Sequence, residues 1–235
     1  GGTNNLGTNY NTIDYVTINV AGDATDFGDL LGVRIAMGAC SNGPSERGLF
    51  MGGAPSDNNP DNVIQYITIN STGDATDFGD CTGTTTQGTA SLSNSTNDRG
   101  VRSGGSPGTP ENVMDYVTIS STGNATDFGD MTTGRHSHAA CSNGTNERGL
   151  WGGGYYNSAL NDIGYITIST TGNATDFGDL TGAARLLAGL SNGRNDRGVF
   201  GGGKDSSMTD TIAYVTISTT GNATDFGNLT TGANQ

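Results

Sequence analysis

Few residues in this chain could carry out chemistry, and they are scattered. His136 and His138 are its only histidines. At i and i+2 on one strand their rings would face the same way, which supplies half of a metal site. Cys40, Cys81 and Cys141 form an odd set without CxxC spacing, so neither a disulfide framework nor a zinc site is expected. They read as small buried hydrophobes. Asp23, Asp26 and Asp29, and again the run from Asp74, are acidic at every third residue. That lacks the alternate-residue ligands and the glycine of an EF-hand loop. Solvated turn carboxylates or arginine partners are the expected role, with calcium at these turns as the alternative and no other cofactor. No Ser-His-Asp arrangement presents itself, and an enzyme is not expected. Trp151, Tyr155 and Tyr156 are the one aromatic cluster with neighbouring Asn and Ser, a chemistry that suits sugar stacking and hydroxyl recognition. They are the candidate ligand-binding residues. For Trp151 the competing reading is an interior residue, since Phe50 and Phe200 stand at its place.

Two familiar motifs dissolve on inspection. Asp127-Phe128-Gly129 spells the metal-holding triplet of protein kinases, and Asn124-Ala125-Thr126 spells a glycosylation acceptor. Both recur. Phe27, Phe78, Phe128, Phe177 and Phe226 each sit in a copy of ATDFG, at spacings of 51, 50, 49 and 49. Tyr15, Tyr66, Tyr116, Tyr165 and Tyr214 head copies of YVTI or YITI at the same spacings. A motif repeated five times at a fixed period is scaffold. Where Asn124, Asn173 and Asn222 stand, the other copies carry Asp23 and Asp74, so the position reads as a turn.

Each unit holds four strand-like pieces separated by turn residues. In one unit they are 134–143, 147–154, 163–170 and 175–180. Tyr165, Thr167 and Ser169 alternate against Ile166 and Ile168, the strand period of two. Arg47, Arg99, Arg148 and Arg197 each follow an acid and precede a glycine, in register with Asp26, Asp77, Asp127, Asp176 and Asp225. A structural pairing of each arginine with a TDFG aspartate is expected. The links after the glycine clusters (residues 3–12, 54–62, 106–112, 155–162 and 204–210) vary in length and chemistry. They are expected to emerge on one face with the links after DFGD, where binding specificity is usually placed.

The pattern resembles kelch repeats. Arg135, His138, Gly153-Gly154, Tyr165 and Phe177 fall in the kelch order, with Phe in place of the usual Trp. Arg34 keeps the first position, and Arg185 lies one residue late. The repeats are also similar to predicted virion and tail proteins of marine bacteriophages. The resemblance implies one all-β propeller domain over residues 1–235. Its units are a half-blade at 1–30, then 31–81, 82–131, 132–180 and 181–230: four full blades plus a half-blade, about five blades. A fifth complete unit is short by roughly 14 to 18 residues. The ring would be closed by sequence outside this stretch or by another chain, and the stretch reads as a fragment of a longer array. With no initiator Met or apolar leader, it also reads as processed or incompletely represented.

Composition sets outer limits. Gly accounts for 40 of 235 residues and Lys appears once, at Lys204. So much Gly, with plentiful Asn, Thr and Ser, disfavours helix. The net charge of −13 repels phosphate backbones, so nucleic acid is not an expected partner. No apolar run of about 18 residues exists, so no membrane insertion is expected. The expected function is a non-enzymatic structural or interaction module of a phage particle or extracellular assembly, located on the virion or outside the cell. Its partners would be other assembly subunits and a host-surface glycan. A secreted lectin-like propeller is the alternative. A galactose-oxidase-like enzyme fragment is weaker, because its copper site needs more histidines than one strand provides.

Overall fold

The computed structural model describes residues 2, 3, 7–43, 46–55, 61–85 and 88–233. The regular elements among them are strands, joined in part by short 3-10 turns such as Gly144–Asn146. Four antiparallel four-stranded sheets follow one another along the chain, each a meander in sequence order. The first comprises Gly38–Ser41, Arg47–Met51, Asp61–Thr68 and Thr76–Thr85. The second comprises Ala90–Ser93, Arg99–Ser103, Val113–Thr118 and Thr126–Asp130. The third comprises Ala139–Ser142, Arg148–Gly152, Asp162–Thr167 and Thr175–Asp179. The fourth comprises Ala188–Ser191, Arg197–Gly201, Thr211–Thr216 and Thr224–Asn228. Before them stands a hairpin of Thr12–Tyr15 with Thr25–Asp29, the third and fourth strands of a unit.

The apolar cores lie between successive sheets. Phe177, Leu180 and Ile163 of the third sheet are covered by Phe200, Val215 and Ile217 of the fourth. Phe128, Met131 and Met114 of the second are covered by Trp151, Ile166 and Ile168 of the third. Phe78, Cys81 and Leu49 of the first meet Val117 and Ile119 of the second, and Phe27, Ile13 and Leu30 of the hairpin meet the first sheet. Period-two alternation thus divides each third strand between two neighbours, one per face.

A backbone clamp repeats at each junction and accounts for DFG. The glycine after the Phe has φ between +133° and +145°, and a Cβ at Gly28, Gly79, Gly129 or Gly178 would lie 2.5–2.6 Å from the next unit's TG turn. That turn docks directly on it. Gly221 N donates to Phe177 O at 2.8 Å, Ala223 N to Asp179 O at 2.7 Å, and Asp179 N to the Asn222 Oδ1 at 3.0 Å. The side-chain bond recurs from Asp29, Asp80 and Asp130 to Asp74, Asn124 and Asn173, at 2.9–3.0 Å. An Asn or an Asp oxygen serves equally, which is why both occur there.

The expected arginine–TDFG pairing does not form. Each repeat arginine lies over its own unit's tyrosine, Arg47 over Tyr66 at 4.1 Å and Arg99, Arg148 and Arg197 over Tyr116, Tyr165 and Tyr214 at 4.2–4.4 Å. Arg47, Arg99 and Arg148 each donate through Nη1 to a carbonyl of the next sheet, Ile119, Ile168 or Ile217, at 3.0–3.2 Å. The acid before the arginine serves the preceding unit instead: Asn42 donates to Asp98 at 2.9 Å and Asn143 to Asp196 at 2.8 Å. These acids are in the αL conformation, φ 68–72°, and the arginine beside each is held by its tyrosine ring and, in three units, by the next sheet's carbonyl rather than by a TDFG carboxylate.

The first strands lie side by side. Ser93 Oγ donates to Ser41 O and Ser142 Oγ to Ser93 O, each at 2.7 Å. Ser41, Ser93, Ser142 and Ser191, one from each sheet, line a single opening of about 250 Å³. Among the described residues no helix is long and apolar enough to cross a membrane.

Candidate functional site

Three of the variable links, 106–112, 155–162 and 204–210, begin beside the links that follow DFGD. Gly105 N donates to Arg135 O and Gly154 N to Ala184 O, both at 2.8 Å, and Gly203 N to Ala233 O at 2.6 Å. Residues 4–6 and 56–60, in the first two links, lie outside the described residues.

Arg135 builds the floor of this region. Its guanidinium is fully buried, donates to Gly153 O at 2.8 Å and pairs with Asp162. Arg34 pairs with Asp61 in the same way at 2.6 Å. Above the floor, Tyr155 and Tyr156 pair with Ser158 and Ala159 in a two-residue hairpin that turns at Asn157, φ +61°. Tyr155 N donates to His136 O at 2.9 Å, which places the two rings 5.5 Å apart. The Arg185 guanidinium also lies 4.5 Å from the Tyr155 ring centre. Arg185 N donates to Lys204 O at 3.0 Å, and Lys204 N returns a bond at 2.8 Å. Tyr156 stands out beside them, 45% exposed. An arginine with no carboxylate partner among the described residues therefore lies over Tyr155, and its backbone pairs with that of the chain's sole lysine, on an otherwise acidic molecule.

Trp151 is not part of this surface. It is fully buried in the core between the second and third sheets, while its strand neighbours Leu150 and Gly152 are buried on the opposite face, toward the fourth sheet. Its ring lies over Gly164, directly opposite on the next strand, and the interior reading of this position is the one the structure matches.

The histidines do not face the same way. The first strand begins only at Ala139, and Ser137, at φ +56°, breaks the alternation before it. His136 turns to Tyr155, while His138 is buried with Nε2 2.9 Å from Ser103 Oγ of the preceding sheet. Burial first, and the Arg185 charge second, lower the His136 pKa, so its ring is neutral at physiological pH. Ser137 Oγ is 2.9 Å from His136 Nδ1, the outline of a nucleophile and base. The same positive φ occurs at Ala36 and Leu186 in other units, so the conformation belongs to the repeat. Burial pushes the thiols of Cys40, Cys81 and Cys141 up to about 12, which leaves no thiolate for nucleophilic attack. No group of three or more His, Cys, Asp or Glu able to hold a metal ion occurs among the described residues.

Sequence reasoning found the tyrosines and missed Arg185 and Lys204. The signal was present in the alignment of units. Arg185 occupies the slot of His136, and Lys204 follows its glycine cluster as Tyr155 does. No family model matches the chain, and no curated protein matches it.

Proposed function

We propose that the chain is a kelch-like propeller, with its sheets set around a common axis, that acts as a non-enzymatic interaction module. The placement of one serine from each of four sheets around a single opening supports the axis. The cores between successive sheets support the blade arrangement. On this reading the variable links form one face of the ring, and that face binds a glycan. The surrounding assembly is a virion or another extracellular particle.

The observation that carries the binding reading is Tyr155 in contact with both His136 and Arg185, with Tyr156 exposed next to it in the chain. An ordered aromatic plane stacks on the apolar face of a pyranose, and the neighbouring cations Arg185 and Lys204 add affinity for a carboxylate. Acidic oligosaccharides, those carrying uronic or sialic acid units, are therefore the favoured class. Titration of the protein with acidic and neutral oligosaccharides tests this. Binding of the acidic set, lost in Tyr156→Ala and weakened about tenfold or more in Arg185→Gln, is expected. Equal binding by these variants, or turnover of a bound sugar by the unaltered chain, would overturn the reading.

A further inference from the structure

The first hairpin, here the head, and the fourth sheet, here the tail, each expose one side of the contact that the molecule makes at its four internal junctions. At the tail, Phe226 is 55% exposed, whereas Phe27, Phe78, Phe128 and Phe177 are 2–5% exposed beneath a following sheet. Leu190 holds the slot of buried Cys141 and Leu92, yet is 59% exposed. With Leu186, Val199, Ile212 and Leu229 these two line an open, almost wholly apolar groove of about 480 Å³. A Cβ on Gly227 would meet nothing within 4 Å, unlike its four counterparts. Among the described residues no TG turn bonds to the Phe226 carbonyl or to the Asn228 amide and carbonyl.

At the head lies the piece that fills such a groove elsewhere. Val16 and Ile18 occupy the slots of Val215 and Ile217, which are 4% and 0% exposed against the third sheet. Val16 is 55% exposed and Ile18 is 98% exposed. Gly22-Asp23-Ala24 is the counterpart of the clamp turn Gly221-Asn222-Ala223, and all three residues are exposed. Asp23 carries the oxygen that Asp74 uses at the first junction.

We infer that the tail groove around Phe226 receives the Val16–Ile18 strand end and the Gly22–Ala24 turn of a second copy of this chain. The occupant is argued from the four internal junctions, which show what shape, apolar pattern and hydrogen-bond donors such a groove accepts. The interface is heterologous, because head and tail are different patches, so copies join head to tail and build a closed ring or a filament. The net charge of −13 opposes the approach, so association strengthens with added salt.

Sedimentation of the chain over a wide range of concentrations tests this, with Ile18→Asp as the head variant and Phe226→Asp and Leu190→Glu as tail variants. All three positions are exposed, and unchanged circular dichroism verifies the fold. Concentration-dependent association of the unaltered chain is expected, weakened about tenfold or more in each variant. The decisive arm mixes Ile18→Asp with Phe226→Asp, since one retains a tail and the other a head. A heterodimer with one chain of each kind is expected. A chain that stays monomeric throughout, whether closed on itself or open, would overturn the inference. So would association that the variants leave intact, or a mixture that fails to pair.

Discussion

Among single residues, His138 couples the fold most directly to solution conditions. It sits where other units carry Met37, Thr89 and Leu187, and it is 4% exposed. Burial first, then the charges of Arg135 and His136, lower its pKa from 6.5 to about 3. Above pH 6.5 the ring is neutral in folded and unfolded chains alike, and its contribution to stability is fully present. Between pH 6.5 and about 3 the unfolded chain binds a proton that the folded chain refuses, so stability falls as pH falls. The slope from one such group is at most about 1.4 kcal/mol per pH unit. Asp61 and Asp196 act at lower pH, their contribution being lost only as pH falls toward and below 3.8, so they do not weigh on a comparison of pH 7 with pH 5. Burial raises them, but hydrogen bonds from Val63 and Arg34, and from Ser218 and Asn143, outweigh it and hold them below 3.8. Denaturant melts at pH 7 and pH 5 should therefore show a loss of stability in the unaltered chain that is reduced in His138→Leu, a change to the residue found one unit on, with the share due to His136, whose pKa is also lowered, remaining. Equal losses in both proteins would show that this imidazole is not the source.

Among elements, the second and third strands of each sheet show how the repeat tolerates unlike residues. Four pairs face one another at the same register: Phe50 with Gln65, Arg102 with Asp115, Trp151 with Gly164, and Phe200 with Ala213. Each pair fills one cross-strand slot. Arg102 and Asp115 are both fully buried and joined by two bonds of 2.9 and 2.7 Å, and Asp115 also accepts from Thr82 N at 2.8 Å. Gln65 does the same service for Leu31 N at 2.8 Å. Trp151 needs a glycine, since a Cβ on Gly164 would lie 2.7 Å from its indole. Gly164→Ala alone should cost about 1–3 kcal/mol through overpacking. Trp151→Phe added to it recreates the Phe200–Ala213 pair, so the double variant should be more stable than the additive sum of the two single changes, read from urea melts. Simple additivity would mean that the two positions are not one slot. This level was only partly legible in the sequence. Period, strand number and the alternation in YITI were plain, because burial on two faces imposes them locally. The boundary at Ala139 was not, because the positive φ at Ser137 is set by contact with Gly88 of the neighbouring unit, through the Ser137 N to Gly88 O bond of 2.9 Å. The arginine partners were misread for a similar reason. Spacing along the chain placed an aspartate in register, but the nearby tyrosine and a carbonyl of the next sheet hold the guanidinium.

At the scale of the whole molecule, every sheet depends on its successor for cover, and this is what the five copies of one motif make measurable. Tyr165 and Phe177 meet edge to face at 6.0 Å, and Tyr214 and Phe226 do so at 5.9 Å, so the two phenylalanines share their intrasheet environment. They differ in the sheet beyond: Phe177 is 3% exposed under Phe200, Val215 and Ile217, and Phe226 is 55% exposed. If stability resides in the junctions, as in arrays whose units contact only their neighbours, identical substitutions must have unequal effects. Phe177→Ala should cost about 3–5 kcal/mol, the penalty of a cavity in a packed core. Phe226→Ala, measured at concentrations dilute enough to keep chains apart, should stay within about 1 kcal/mol, because an open site leaves no cavity behind it. Urea melts followed by circular dichroism read both values directly. Comparable losses at the two positions would place the stabilising contacts inside each sheet rather than between sheets. The proposed arrangement around an axis would then lose its energetic basis, and so would the proposal that a second copy's head completes the exposed tail.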